Sequence, residues 1–410
     1  MIARRTSRLA LSALFAAVLA AAPVPTADDL PVFSEGDRRV ILSMGQLASL
    51  VPDSTNAVAD DPRASELGQA IFFDPGFSAS GAVSCSTCHD PAQGFTDGKP
   101  VAIGAGVGRR NAPTIISAAH QRWFFWDGRI DSLWAQALGP FESPLEMASN
   151  RNAVVARILD EPEYRRRFEA IFGALPEVPD AAQVDRAFAR VGKCIAAYER
   201  RLVDGPAPFD EFAAAIGRGD AAAMADYPAS AQRGLMRFIG PRGCWRCHPG
   251  PLMTDGDFAR LGLPDPPGTP GDPGRLEGVR ALKRDVFRSG GEHSDDPQGE
   301  RSALAETLTE DPELFGQMRT PSLRQAARTA PYMHDGRFAT LEAVIHFYSE
   351  MPGVTEEQHA DPRLNPLHLK EGEIADMAAF LRTLCGPGPA PELCRAPDWA
   401  PVRETSSASK

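Results

Sequence analysis

The chain has 410 residues, of which 24% are charged and 43% hydrophobic, and its formal charge at neutral pH is -11. That length accommodates two ordinary domains, each with its own core. The acidic balance excludes a nucleic-acid binder or a protein held electrostatically on an anionic membrane, and a basic or neutral protein partner suits it better.

Arg4, Arg5 and Arg8 precede an apolar run from Leu9 to Ala22, the pattern of a secretory signal, with cleavage expected between Ala22 and Ala27. The run is shorter than the ~20 residues a bilayer span needs, and no later segment of the sequence is long and apolar enough to cross. Residues 1–27 therefore read as a signal peptide, and the mature chain as exported, periplasmic in a host with two membranes.

A first unit is expected over residues 28–210. A short helix leads to Leu67-Gly68 and Phe72-Phe73-Asp74-Pro75, where Pro75 and Gly76 end it. Cys85-Ser86-Thr87-Cys88-His89 follows, the spacing that attaches a haem through two thiols and brings the histidine under the iron as fifth ligand. A single copy leaves a structural zinc site or a redox dithiol open. From Pro91 to Asn111 the chain is glycine-rich, as suits a loop over a haem face. Val184, Phe188, Val191, Ile195, Tyr198 and Leu202 recur at spacings of three and four, so residues 182–202 form an amphipathic helix whose stripe is core.

Pro206 and Pro208 break the chain, and a second unit is expected over residues 225–400, beginning with a helix from Ala229 to Ile239. Cys244-Trp245-Arg246-Cys247-His248 repeats the attachment motif, which favours two covalently bound haems over zinc or a dithiol. Residues 261–312 are rich in Gly, Pro and Asp and read as an insertion with little regular structure, either a docking element for a partner or an ordinary surface loop. A helix capped by Thr340 carries Leu341, Val344, Ile345 and Tyr348 on one face, and a closing helix runs from Glu371 to Leu384. Strand patterns are scarce, so the fold class is all-α. Of the remaining cysteines, Cys194 reads as a packed thiol, while Cys385 and Cys394 bracket a Gly/Pro-rich turn and are candidates for a disulfide.

A second repeat assigns roles to the two irons. Arg110-Asn111-Ala112-Pro113 precedes Asp127-Gly128-Arg129, and Arg319-Thr320-Pro321 precedes Asp335-Gly336-Arg337 at the same distance, which is a duplication signal. After the second Asp-Gly-Arg, Tyr348 points with the buried stripe whereas His346 lies about 140° away. Tyr348 is either a core tyrosine or the sixth ligand of the second iron, with Met351 and Met333 as the other candidates. Carried back to the first unit, the register of Tyr348 falls on Pro140, which has no donor for iron. The first haem is then expected to keep an open position where peroxide binds, with Gln136 and Glu146 nearby to move a proton between the peroxide oxygens. Trp126 either relays electrons between the haems or fills core.

These residues resemble the bacterial dihaem cytochrome c peroxidase and MauG family over about Leu67 to Leu384. The resemblance rests on both haem motifs, Phe72-Phe73-Asp74-Pro75, Arg110-Asn111, Phe125-Trp126-Asp127-Gly128-Arg129, Glu146-Met147 and Thr329-Ala330-Pro331-Tyr332-Met333-His334-Asp335-Gly336. It implies two cytochrome-c-like haem domains, reaction with hydrogen peroxide at the first haem, Gln136 and Glu146 as distal residues and Trp126 as the inter-haem relay. It also implies calcium near Asn111, Thr329 and Pro331. Ordinary peroxidases of the family carry a gating histidine after the first motif and a methionine on the second iron. Here the matching loop is Ile103-Gly104-Ala105-Gly106, no histidine lies between His89 and His120, and Tyr348 stands at the second position. A tyrosinate favours ferric and higher states. Both departures are similar to MauG and the MbnH-type enzymes, which oxidise residues, notably tryptophan, of a partner protein by long-range electron transfer. The rival readings are a peroxidase fed by a small cytochrome or copper protein, and a dihaem electron carrier without catalysis.

Overall fold

The computed structural model describes residues 30–241, 243–264, 271–354 and 360–401. The expected signal peptide lies outside the described residues. The chain is mostly helical, and its one sheet among the described residues is a two-residue antiparallel pair, Phe258–Ala259 against Met318–Arg319.

Two apolar clusters organise the chain. In the first, the helix Pro62–Phe73 crosses the helix Ala181–Glu199, whose buried stripe includes Val184, Phe188, Val191, Ile195 and Tyr198. Gly68 makes that crossing possible, because a Cβ there would stand 1.9 Å from the Cys194 carbonyl oxygen. In the second, Ala229–Phe238 crosses Glu371–Arg382 in the same manner, and a Cβ on Gly234 would stand 2.0 Å from the Asp376 carbonyl oxygen. Each haem motif thus follows a helix locked by a glycine onto the last long helix of its cluster.

Both chain ends cross the boundaries expected from sequence. Phe33, Ile41 and Met44 pack in the second cluster, where the buried Arg324–Asp210 pair also binds the Met44 and Gly45 carbonyls. Residues 391–400 return to the first cluster: Gln69 donates to the Glu392 and Arg395 carbonyls, and the Tyr198 hydroxyl to that of Leu393. Hydrophobic pattern marks which residues are buried but not which core receives them.

The insertion differs from the expectation of little regular structure. It contains helices Arg275–Arg284 and Glu300–Glu306 and lies against the first unit. Arg275, 2% exposed, donates to the Asp127 and Gly128 carbonyls and stacks on Trp123 and Phe258. Ser289 binds both oxygens of Asp131, and Phe287 enters the first core. Its short helices are held by these tertiary contacts, which local periodicity does not reveal.

The candidate disulfide between Cys385 and Cys394 is not formed in the structure. Cys385 and Cys394 are both free thiols, Cys394 lying in the strap that packs on the first core and Cys385 facing the Ala327–Arg328 backbone. The strap carries the two cysteines to different neighbours although only a short turn separates them. Cys194 is buried.

Candidate haem sites and the path between them

Both attachment motifs form one tight turn. Residues Cys85–Cys88 are helical and the His89 amide donates to the Cys85 carbonyl at 2.9 Å, while the His248 amide donates to that of Cys244 at 2.9 Å. Each imidazole is then fixed through its other face. His89 Nδ1 donates to the Phe95 carbonyl at 3.1 Å, and His248 Nδ1 to that of Met253 at 2.9 Å. A carbonyl only accepts, so the proton sits on Nδ1 and the Nε2 lone pair is left for a metal. Burial lowers the pKa of both histidines, which keeps them neutral as ligands. Phe95 and Met253 both have positive φ, 58° and 53°, so one local geometry serves both motifs.

The thiols do not fit the zinc or dithiol alternatives. Burial pushes Cys244 up to about 12, and burial with Asp97 and Glu146 pushes Cys88 up to about 11, the reverse of thiolate activation. Among the described residues no group of three His, Cys, Asp or Glu side chains can hold a metal ion. The surroundings do fit a haem. A cavity over His248, Cys244 and Cys247 is walled by Phe238, Leu341, Val344, Ile345, Met377 and Leu381, with Arg246, Arg319 and Arg363 also on its wall. Burial lowers Arg319 to about 10 and no carboxylate among the described residues offsets it, so an anionic group in this cavity would relieve a buried charge.

Tyr348 lines that cavity, on the helix Leu341–Glu350 that Thr340 caps through the Ala343 amide. His346 on the same helix is exposed. Met333 also reaches the cavity wall, whereas Met351, at the left-handed end of the helix, is buried elsewhere. Burial, and secondarily Cys244 and Cys247, drive the Tyr348 phenol above its ordinary range. Only a strong cation at the oxygen would hold it as phenolate, which is what a ferric iron supplies.

In the first unit the corresponding stretch is broken into two single turns, Leu133–Gln136 and Gly139–Glu142, with Gln136 and Pro140 half-buried on them. The chain then folds back so that the Met147 amide donates to the Pro140 carbonyl at 3.0 Å, which leaves Glu146 half-buried beside the attachment turn. Its charge acts on both Cys85 and Cys88. The loop where a gating histidine would stand is tied to this segment: the Ala105 amide donates to the Glu146 carbonyl at 2.7 Å and the Gly106 amide to that of Leu145 at 2.9 Å.

Trp126, which belongs to the first unit, lines the cavity of the second site. It is 9% exposed, its Nε1 donates to the Asn111 carbonyl at 2.9 Å, and its ring meets that of His334 edge-on at 6.4 Å. It shares the cavity wall with His248 and Tyr348, as do Asn111, Thr329 and Pro331. Glu199 is a residue that motif reading missed. It is 4% exposed, its Oε2 has no hydrogen-bond partner among the described residues, burial raises it to about 8, and its charge acts on Cys85. The signal in the sequence was an acid four residues after Ile195, on the buried stripe.

The residues from Pro62 to Gly217 match the family model of di-haem cytochrome c peroxidases. A cytochrome-c peroxidase of Denitromonas iodatirespirans, IdrP1, is 36% identical across 80% of this chain and 83% of that protein. This chain belongs to the di-haem cytochrome c peroxidase family. The methylamine utilization protein MauG of Methylorubrum extorquens is 35% identical across 79% of the chain and 78% of that protein. A crystal structure of a MauG-like protein associated with microbial copper homeostasis superposes with a TM-score of 0.63 at 27% identity, covering 86% of this chain and 97% of that one. As a di-haem peroxidase family member the chain carries two covalently bound c-type haems and is a peroxide-acting oxidoreductase. No helix among the described residues is long and apolar enough to cross a membrane.

Proposed function

We propose that this protein is a periplasmic enzyme that reacts with hydrogen peroxide at the first haem and uses the oxidising equivalents to modify a residue, of which tryptophan is the best suited, on an exported partner protein. In this reading the halves are duplicated cytochrome-c-like domains with different iron environments. Tyr348 is the sixth ligand of the second iron, and Trp126 is the route between the sites. The observation that carries the reading is that Tyr348 shares a cavity wall with His248 and Trp126 while Met351 does not. The haems, when bound, supply the redox-active iron and the store of oxidising equivalents. Glu146 would accept a proton from one peroxide oxygen and return it to the other, with Gln136 orienting the peroxide. The Ile103–Gly106 loop, tied to the Glu146 backbone, has no histidine to close the first site. A calcium ion held by Asn111 and the Thr329 and Pro331 carbonyls would brace the same region.

The test is stopped-flow optical and Mössbauer spectroscopy of the haem-loaded, fully oxidised protein mixed with stoichiometric peroxide and no donor. The expected result is a long-lived change at both irons without prior reduction, followed by mass-spectrometric detection of an oxidised residue on a neighbouring exported protein. No change until one haem is reduced would overturn it. A scavenging peroxidase fed by a small cytochrome or copper protein is the second reading, favoured by the IdrP1 relative; fast steady turnover with such a donor would select it.

A further inference from the structure

A row of aromatic rings begins next to Pro140 of the first unit and does not include Trp126. Phe141, directly after Pro140, meets Phe77 at 6.1 Å between centroids, Phe77 meets Tyr164 at 5.5 Å, and Tyr164 meets Trp399 edge-on at 6.1 Å. Phe141, Phe77 and Tyr164 belong to the core cluster against which both Cys85 and Trp399 pack. The two oxidisable rings are each paired with a base. The Tyr164 hydroxyl donates to Asp74 Oδ2 at 3.0 Å, and Trp399 Nε1 donates to Glu66 Oε1 at 2.6 Å. Tyr164 is fully buried, whereas Trp399 and Glu66 are half-exposed. The Arg167 guanidinium sits 3.6 Å above the Trp399 ring, so a charged indole radical there is disfavoured and loss of the Nε1 proton has to accompany loss of the electron.

We propose that Trp399, reached through Tyr164, is a second redox outlet of the first haem site, at which small phenolic reductants are oxidised. The inference rests on the peroxide chemistry proposed above. One electron passes from Trp399 by way of Tyr164 toward the oxidised first site, the Nε1 proton passes to Glu66, and a neutral indolyl radical remains. A phenol at the surface gives up its hydroxyl proton and one electron, restoring the indole and leaving a phenoxyl radical. Two such turns match the reduction of one hydrogen peroxide, with two protons, to two waters. Without a reductant, the same route carries oxidising equivalents away from Glu146 and the haem edge.

The experiment treats the haem-loaded full chain with peroxide in the presence of the spin trap 2-methyl-2-nitrosopropane, both fully oxidised and after one-electron reduction, and maps adducts by peptide mass spectrometry. The expected result is an adduct on Trp399. Tyr164→Phe, which keeps the ring and removes the proton-coupled step, should lose that adduct, as should Glu66→Gln, which keeps Trp399 packed; Trp399→Phe should lose peroxide-dependent oxidation of phenol. Adducts confined to other residues, or an unchanged Trp399 adduct in Tyr164→Phe, would overturn the proposal. An optical response to peroxide only after one-electron reduction would instead count against the protein-modifying reading, and the adduct map in that state still decides the outlet.

Discussion

The two stretches that follow the Asp-Gly-Arg turns begin alike and end differently. Asp127 and Asp335 bind their own arginines, Gly128 and Gly336 share a φ of 64°, and Phe125 and Met333 are both left-handed. Ser132 and Thr340 then cap the helices. The second helix runs unbroken from Leu341 to Glu350 and brings Tyr348 to a cavity wall, whereas the first stops after one turn and resumes at Gly139-Pro140. Proline has no amide hydrogen to continue a helix and no side-chain atom to offer an iron. In the proposed reading, the residue at this single register position is what separates a closed iron environment from an open one.

The sharpest way to break this comparison is at the closed side. Tyr348→Phe is expected to remove the six-coordinate optical and EPR signal of the second haem, and Tyr348→Met to raise its potential by a sizeable share of the roughly 0.8 V that axial ligands span. An unchanged signal in Tyr348→Phe would transfer the ligand role to Met333 or Met351. On the open side, Glu146→Gln should slow the reaction with peroxide by about 10²–10⁴-fold in single-mixing kinetics, the usual worth of a placed acid/base, while cyanide still binds the first haem.

A smaller effect concerns Glu199, the buried acid beside Cys85. Its folded pKa near 8 lies above the unfolded carboxylate value. The native state therefore holds the proton more tightly, and stability contributed by this group is present below the unfolded pKa and lost as pH rises through about 8. Glu199→Gln should flatten that loss, raising stability at pH 8 relative to pH 5 by on the order of a few kcal/mol, read from denaturant midpoints. Thr340→Ala should cost about 1 kcal/mol by uncapping the Tyr348 helix, with Ser132→Ala as the matched control in the first unit.

The paired haem motifs and the helix stripes were legible because each depends on short-range spacing: two thiols and a histidine within one turn, or apolar residues at helical period. The place of Tyr348 on the cavity-facing side of its helix was legible for the same reason. What the sequence did not disclose depends on contacts between residues far apart. Arg275 clamps the Asp127–Gly128 turn from an insertion that looks formless by composition. Cys385 and Cys394 sit near each other in the chain, yet the strap carries Cys394 to the first core. The pairing of Trp399 with Glu66 brings residues 391–400 onto the helix Pro62–Phe73. Local pattern determines which residues are buried and which turn can hold a haem; only the folded chain decides which core buries them and which carboxylate meets which ring, because that choice is made by the packing free energy of the whole.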